Sequence, residues 1–445
     1  MWGKRRDVEI VMIREAIKDL EKWKSGSHRK PLIIRGARQV GKTWIMKEFG
    51  KTYYDNFAYI NFDNNERMES LFKGNLDAPR LIAGLQIESG VTIEAESTLI
   101  IFDEIQEVPN ALTALKYFCE NAPQYHIVAA GSLLGVAMHP GTSFPVGKVD
   151  FMELYPLNFL EFLEALGNKD LSDLLKTMDF KLVTSFKGKY KDLLKQYYYI
   201  GGMPEAVSRF IETKDYKVVR EVQNRLLMAY EQDFSKHAPR EVVPRIRLLW
   251  NSIPTQLGRE NRKFVYGHIR PGARAKEYEL SLQWLIDCGL IIKVNRITKP
   301  DMPLTAYQDF SAFKLYILDV GLLSAMSGLD LESILEGNRI FEEFKGALTE
   351  QYVLQQLIAS KEITPFYWSA ERSDGEIDFV FQLGKAVIPL EVKASENLQA
   401  KSLKSYVSRY KPNYALRTSL SDYRKEDWLT NLPLYAINTI TAIND

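Results

Sequence analysis

The spacing of apolar residues switches between helical and strand periods along the chain, and the switches mark out its elements. Over residues 7–24, Ile10, Ile13, Ile17 and Leu20 recur at helical spacing until Ser25-Gly26-Ser27 ends the pattern, which predicts a helix. Leu32-Ile33-Ile34 is a short apolar run of strand type, and residues 44–49 after it are compatible with a helix. FAYINFD at 57–63 alternates as a strand. STLIIFDE at 97–104 stays apolar until it ends in two acids, and residues 126–130 form a third buried strand running into Gly131-Ser132.

Residues 154–230 are helical in period and rich in Leu, Phe and Tyr. Tyr197-Tyr198-Tyr199 could suggest base stacking, but in an amphipathic segment before a Gly-Gly turn it reads as core and interface. Next come helices over 245–257, near Tyr266 and over 274–288, the last stopped by Gly289. A strand over 290–294 and a basic hairpin over 295–303 follow, a succession shaped like a winged helix. After Gly337-Asn338, a helix over 346–358 precedes two strands, 376–382 and 386–394, joined by a tight turn.

Between the first strand and the helix after it lies Gly36-Ala37-Arg38-Gln39-Val40-Gly41-Lys42-Thr43, a phosphate-binding loop. Its two glycines let the backbone curl so that successive N–H groups face phosphate oxygens, and the helix N-terminus adds partial positive charge. Lys42 would neutralise phosphate charge, and the Thr43 hydroxyl would join a Mg²⁺ shell. The acids ending the second apolar strand fit beside it, with Asp103 helping to hold the ion and Glu104 polarising the attacking water. Room for one more strand between these motifs matches the additional-strand ATPases, in which the polar residue ending the third strand, here Ser132, senses the γ-phosphate. ATP and Mg²⁺ are thus the expected cofactors.

Composition narrows the rest. A chain of 445 residues is long enough for about three domains. With 58 basic and 57 acidic residues, bulk charge names no partner. Two cysteines, Cys119 and Cys288, provide no disulfide framework or zinc cluster, and a reducing cytoplasm is the expected compartment. The N-terminal stretch is charged throughout, so neither a signal peptide nor a membrane span is expected there. Charge is uneven, however: residues 236–300 hold 13 Lys and Arg against 5 Asp and Glu, which makes this segment the candidate for DNA contact. A lid or protein-contact role is the competing reading, since Glu277 and Glu279 lie on the would-be recognition helix.

RGARQVGKT, FDEIQEVP, AAGSLLG, LYPLNFLEF (154–162), YYYIGGMPEAV (197–207) and KLYILDVGLL (314–323) follow in this order. Over nearly the whole chain the series resembles the prokaryotic AAA-type (AAA+) ATPases fused to a C-terminal domain of unknown function. Members of that family usually carry a Gly-Arg pair before the LYPL-like segment; here it is Gly147-Lys148, and a lysine cannot reproduce arginine's planar grip on phosphate. The arginine-finger assignment stays open, with Arg38 as another charge donor, and so does a homo-oligomer in which a neighbour supplies the arginine.

In the C-terminal part, Glu391 and Lys393 share a strand face by period 2, Asp378 can lie beside them on the preceding strand, and Glu350 sits on the preceding helix. These four residues resemble the PD-(D/E)XK restriction-endonuclease-like superfamily. The resemblance implies Glu350, Asp378 and Glu391 as metal ligands, with Asp378, Glu391 and Lys393 at the centre of phosphodiester chemistry. The proline that often precedes the first-strand acid is replaced by Ile377.

The expected architecture is therefore α/β: a P-loop ATPase domain (1–153), a helical lid or linker (154–235), a winged-helix domain (236–330) and a nuclease-like domain (331–445). The expected function is an ATPase coupled to a nuclease-like domain acting on DNA. The alternative is an ATP-driven switch or scaffold whose last domain binds protein or nucleic acid without cutting.

Overall fold

The computed structural model describes residues 12–131, 145–259, 262–336, 342–370, 375–396 and 399–444. The described residues divide into two compact units, one within Arg14–Tyr155 with Asp287–Gly289, the other within Pro156–Ile286 and Leu290–Asp445.

The first unit runs α1 (Ala16–Ser25), β1 (Leu32–Arg35), α2 (Lys42–Tyr53), β2 (Asn56–Asn61), α3 (Glu66–Lys73), α4 (Ala78–Ser89), β3 (Thr98–Asp103), α5 (Pro109–Asn121), β4 (His126–Ala130) and β5 (Asp150–Glu153). Its strands form one parallel sheet in the order β2-β3-β4-β1-β5. β1 and β3 are not neighbours, because β4 lies between them, as expected of an additional-strand ATPase. Every residue of β3 and β4 is buried, the behaviour of parallel strands covered on both faces. On one face Phe62, Phe72 and Phe102 meet edge to face with centroids 5.2–6.1 Å apart. β5 has no counterpart in the sequence reading. Its four residues bury only Met152, so they carry no apolar run to betray a strand.

The second unit begins with helices α6 (Phe159–Ala165), α7 (Lys169–Thr177), α8 (Phe180–Ser185), α9 (Lys187–Ile200), α10 (Pro204–Thr213), α11 (Tyr216–His237), α12 (Val243–Leu257) and α13 (Ala275–Asp287). Then come β6 (Ile291–Ile297), β7 (Gln308–Ile317), α14 (Val320–Met326), α15 (Leu331–Glu336), α16 (Glu342–Ala359), β8 (Phe366–Ser369), β9 (Glu376–Leu383), β10 (Ala386–Val392), α17 (Lys401–Tyr410), β11 (Leu416–Ser419), β12 (Arg424–Lys425) and β13 (Thr430–Pro433).

Strands β6 to β13 make a single mixed sheet in the order β12-β13-β11-β10-β9-β8-β6-β7. The helices and first strand expected of a winged helix are present, but the return strand starts at Gln308, beyond Pro300 and Pro303, which have no N–H for a ladder. β6 also pairs in parallel with β8, through Arg296–Tyr367 and Ile297–Trp368. The strands assigned to the wing and those assigned to the C-terminal domain thus share one sheet.

Three of the ordered motifs meet in a buried polar knot in this unit. Asp319 caps α14, and its carboxylate accepts from the backbone N–H of Leu322 at 3.0 Å and of Gly202 at 2.6 Å. Gln355 Nε2 donates to Asp319 at 3.1 Å and to the Tyr197 hydroxyl at 2.9 Å, while Tyr197 donates to the Leu157 carbonyl at 2.5 Å. Gly202 is required here, since a Cβ would stand 2.1 Å from the Leu157 oxygen. The LYPL, YYYIGGMP and ILDVG segments therefore act together in holding the helices to α16 and the sheet.

Candidate functional site

The described residues of the phosphate loop and of the acid-ended strand lie within the first unit. Gly36 adopts φ 148° with Leu154 O packed where a Cβ would stand, and Gly41, at φ 95°, turns the chain into α2. Those two positions explain why the loop needs glycine there. Arg14, which the sequence reading missed, straps the loop from α1's side by donating to Val40 O at 3.1 Å and Tyr155 O at 2.6 Å. Lys42 Nζ donates to the carbonyls of Gly36 at 2.9 Å and Ala37 at 2.8 Å, so the ammonium is held over the loop. Burial lowers its pKa to about 8, against the pull of Glu104 and Asp103, with Arg38 adding to the lowering. An anion placed in the loop would raise it again.

Thr43 Oγ1 donates to Asp103 Oδ2 at 2.7 Å, which brings together the two groups expected to share a Mg²⁺ shell. The donor set, one hydroxyl and one carboxylate beside a phosphate loop, fits that ion. Tyr59, a second missed residue, donates to the same Asp103 oxygen at 2.9 Å. Glu104 follows in a left-handed turn (φ 52°), and Gln106 Nε2 fixes its carboxylate at 2.6 Å. Ser132 lies outside the described residues. Lys148, where the resemblance expects arginine, is paired with Glu120 at 2.8 Å.

The C-terminal set lies in the second unit. Leu390 pairs with Phe379 in the antiparallel β9–β10 ladder, so Asp378 and Glu391 come next to each other on one face. Asp378 Oδ2 accepts from the Val392 N–H at 2.7 Å, and Lys393 Nζ is 2.6 Å from Glu391 Oε1. Among the described residues the other Glu391 oxygen, buried, has no hydrogen-bond partner. Burial and then the Asp378 charge push the Glu391 carboxyl up to about 7, with Lys393 opposing.

Glu350 is placed differently. Its buried carboxylate is bound by Arg262 and by the Tyr316 hydroxyl at 3.0 Å, and Lys314 Nζ is 3.8 Å away. Lys314 is itself fully buried and bound to Glu376. Burial pulls its pKa down, but Tyr316, Glu376 and Asp378 outweigh that and raise it. Lys314 and Tyr316 were missed because they lie in the continuously buried end of β7, which reads as ordinary core strand, and Glu376 because it opens β9 ahead of its apolar run. Among the described residues no group of three or more His, Cys, Asp or Glu side chains gathers where it could hold a metal ion.

The basic segment is less open than its charge count suggests. Arg245, Arg247, Arg259, Arg274 and Lys276 are exposed, but Arg262 turns inward to Glu350. Arg270 pairs with Glu277 at 3.1 Å, Arg296 with Asp309 at 2.9 Å and Lys299 with Asp301 at 2.6 Å.

The parallel sheet, phosphate loop and acid-ended strand define an AAA-type P-loop ATPase domain, and residues 28–163 match the AAA domain family. Residues 191–333 and 345–437 match two domains of unknown function, DUF8612 and DUF4143. Uncharacterized proteins of Mycobacterium tuberculosis and Mycobacterium bovis are each 22% identical over 376 residues, covering 82% of this chain and 71% of theirs. Among solved structures, the Walker-type ATPase of Pyrococcus abyssi is 15% identical with a TM-score of 0.45, covering 71% of this chain and 96% of that one. The Thermotoga maritima RuvB Holliday junction branch migration motor is 14% identical with a TM-score of 0.28, covering 63% and 89%. Among the described residues no helix is long and apolar enough to cross a membrane.

Proposed function

We propose that this protein links Mg²⁺-dependent ATP hydrolysis in its AAA-type domain to phosphodiester cleavage of DNA by its C-terminal set. The observation that carries the second half is the pairing of Asp378 with a buried Glu391 that keeps one oxygen without a partner among the described residues, beside Lys393. Two carboxylates with one ammonium leave negative charge that a divalent cation would offset.

In the ATPase domain the backbone of Gly36 to Thr43 would cradle the phosphates and Lys42 would leave its carbonyl partners for phosphate oxygens. Glu104, oriented by Gln106, would take the proton of the attacking water. In the C-terminal set Asp378 and Glu391 would hold an ion and Lys393 would position the nucleophile. At each site a bound Mg²⁺ would supply Lewis acidity toward the phosphate. The exposed Arg245, Arg247 and Arg259 would bind the DNA backbone without reading bases. The helical segment 154–235 and the winged-helix-like segment 236–330 would carry the nucleotide state toward the last domain.

A second reading, an ATP-driven switch or scaffold, is supported by the engagement of Glu350 with side chains of its own unit. The two separate in a cleavage assay on duplex, single-stranded and branched DNA with Mg²⁺ or Mn²⁺. Cleavage by the wild type that disappears in Glu391→Ala is the expected result; binding without cleavage on every substrate favours the switch.

A further inference from the structure

Glu350 has the chemistry of a metal ligand and the surroundings of a group that needs none. Its side chain is 2% exposed. One carboxylate oxygen receives the Arg262 guanidinium, and the other accepts from Tyr316 and faces Lys314 at 3.8 Å. The seat is built for this: Gly346, one turn before Glu350 on α16, leaves room for the guanidinium, and a Cβ there would come 2.5 Å from Arg262 Nη2. Lys314, with no exposed surface, also binds Glu376, so a single buried cation serves two acids from different elements. Pulling both cations away would leave the buried Glu350 carboxylate uncompensated.

Asp378 and Glu391 present the opposite case. They are adjacent across two strands, Lys393 pairs with one Glu391 oxygen, Lys314 lies within electrostatic reach of Asp378, and the second, buried Glu391 oxygen has no hydrogen-bond partner among the described residues. The two halves of the acid set therefore differ in kind: both Glu350 oxygens are engaged by side chains, whereas one buried Glu391 oxygen has no hydrogen-bond partner among the described residues.

We propose that Lys314 and Arg262 stand permanently in place of a divalent cation at Glu350, so that the C-terminal site takes one ion, on Asp378 and Glu391. Glu350 is then a positioning residue that fixes Tyr316 and Lys314. This rests on the ion-binding reading of Asp378 and Glu391 given above.

The test is Mn²⁺ binding to the full-length, nucleotide-free protein, followed by electron paramagnetic resonance, with Asp378→Asn as the blank that removes the C-terminal site. The expected difference between wild type and blank is one ion per chain, and folded Glu350→Gln keeps that ion. Two ions in the wild-type difference overturn the proposal, and this measurement does not depend on whether Glu350→Gln folds. Loss of that ion from folded Glu350→Gln overturns it as well. No ion lost in Asp378→Asn overturns both the proposal and the ion-binding reading beneath it, which separates the two failures.

Discussion

Replacing Glu391 by Gln should stabilise the metal-free protein above neutrality while changing little in mild acid. The carboxyl goes from an ordinary value of 4.5 to about 7 in the folded chain, because burial and Asp378 disfavour its charge more than Lys393 favours it. A raised folded-state pKa means that the folded state binds the proton more tightly. The associated stability is fully present below about pH 4.5 and is lost as pH rises through about 7. At about 1.4 kcal/mol per pH unit, the displacement corresponds to about 3 kcal/mol by pH 8. The glutamine keeps the shape of the protonated acid and does not ionise, so it loses none of this. Thermal melting in EDTA between pH 5 and 8 should show nearly coincident transitions at pH 5 and a Glu391→Gln transition higher by about 6 °C at pH 8, at about 2 °C per kcal/mol for a unit of this size. Parallel curves across the range would refute the placement of a charge-starved carboxylate at this position.

Other consequences can be checked separately. Lys42→Ala should abolish ATP hydrolysis with the fold intact, since it removes the ammonium held over the loop and no core; turnover at the wild-type rate would refute the site. Asp319→Ala should cost about 4 kcal/mol in urea unfolding, because it orphans the buried donors of Gly202, Leu322 and Gln355; a loss under about 1 kcal/mol would show that the knot is not structural. Replacing Arg245, Arg247 and Arg259 by Gln should reduce the salt dependence of DNA binding by a log–log slope of about 3, at about 0.9 per phosphate contact. An unchanged slope would assign this face to solvent or a protein.

The nucleotide site was legible because its chemistry is local: eight consecutive residues set the loop, and two acids end a strand whose burial shows in its composition. Arg14 and Tyr59 were not legible, since each reaches the site through the fold and neither sits in a motif; Gln106 sits in FDEIQEVP, but nothing in the sequence shows its side chain turning back to Glu104. The C-terminal pair was readable from strand period, which puts Glu391 and Lys393 on one face and Asp378 beside them. Glu350 was found as a residue but not as a contact. Its partners come from the exit of α12 and from β7, and a charge count cannot tell an arginine facing DNA from one turned to a buried carboxylate. The sharing of one sheet by the wing strands and the C-terminal strands was hidden for the same reason, because parallel pairing of β6 with β8 spans about seventy residues and leaves no periodic trace.

The most direct test of the central claim, that the two chemistries are linked, is the DNA cleavage rate with and without saturating ATP, in wild type and in Lys42→Ala. A linked protein changes its cleavage rate with ATP by on the order of fivefold or more, and Lys42→Ala does not respond. Cleavage that is the same with and without ATP in the wild type would contradict the link, even if both sites prove active on their own.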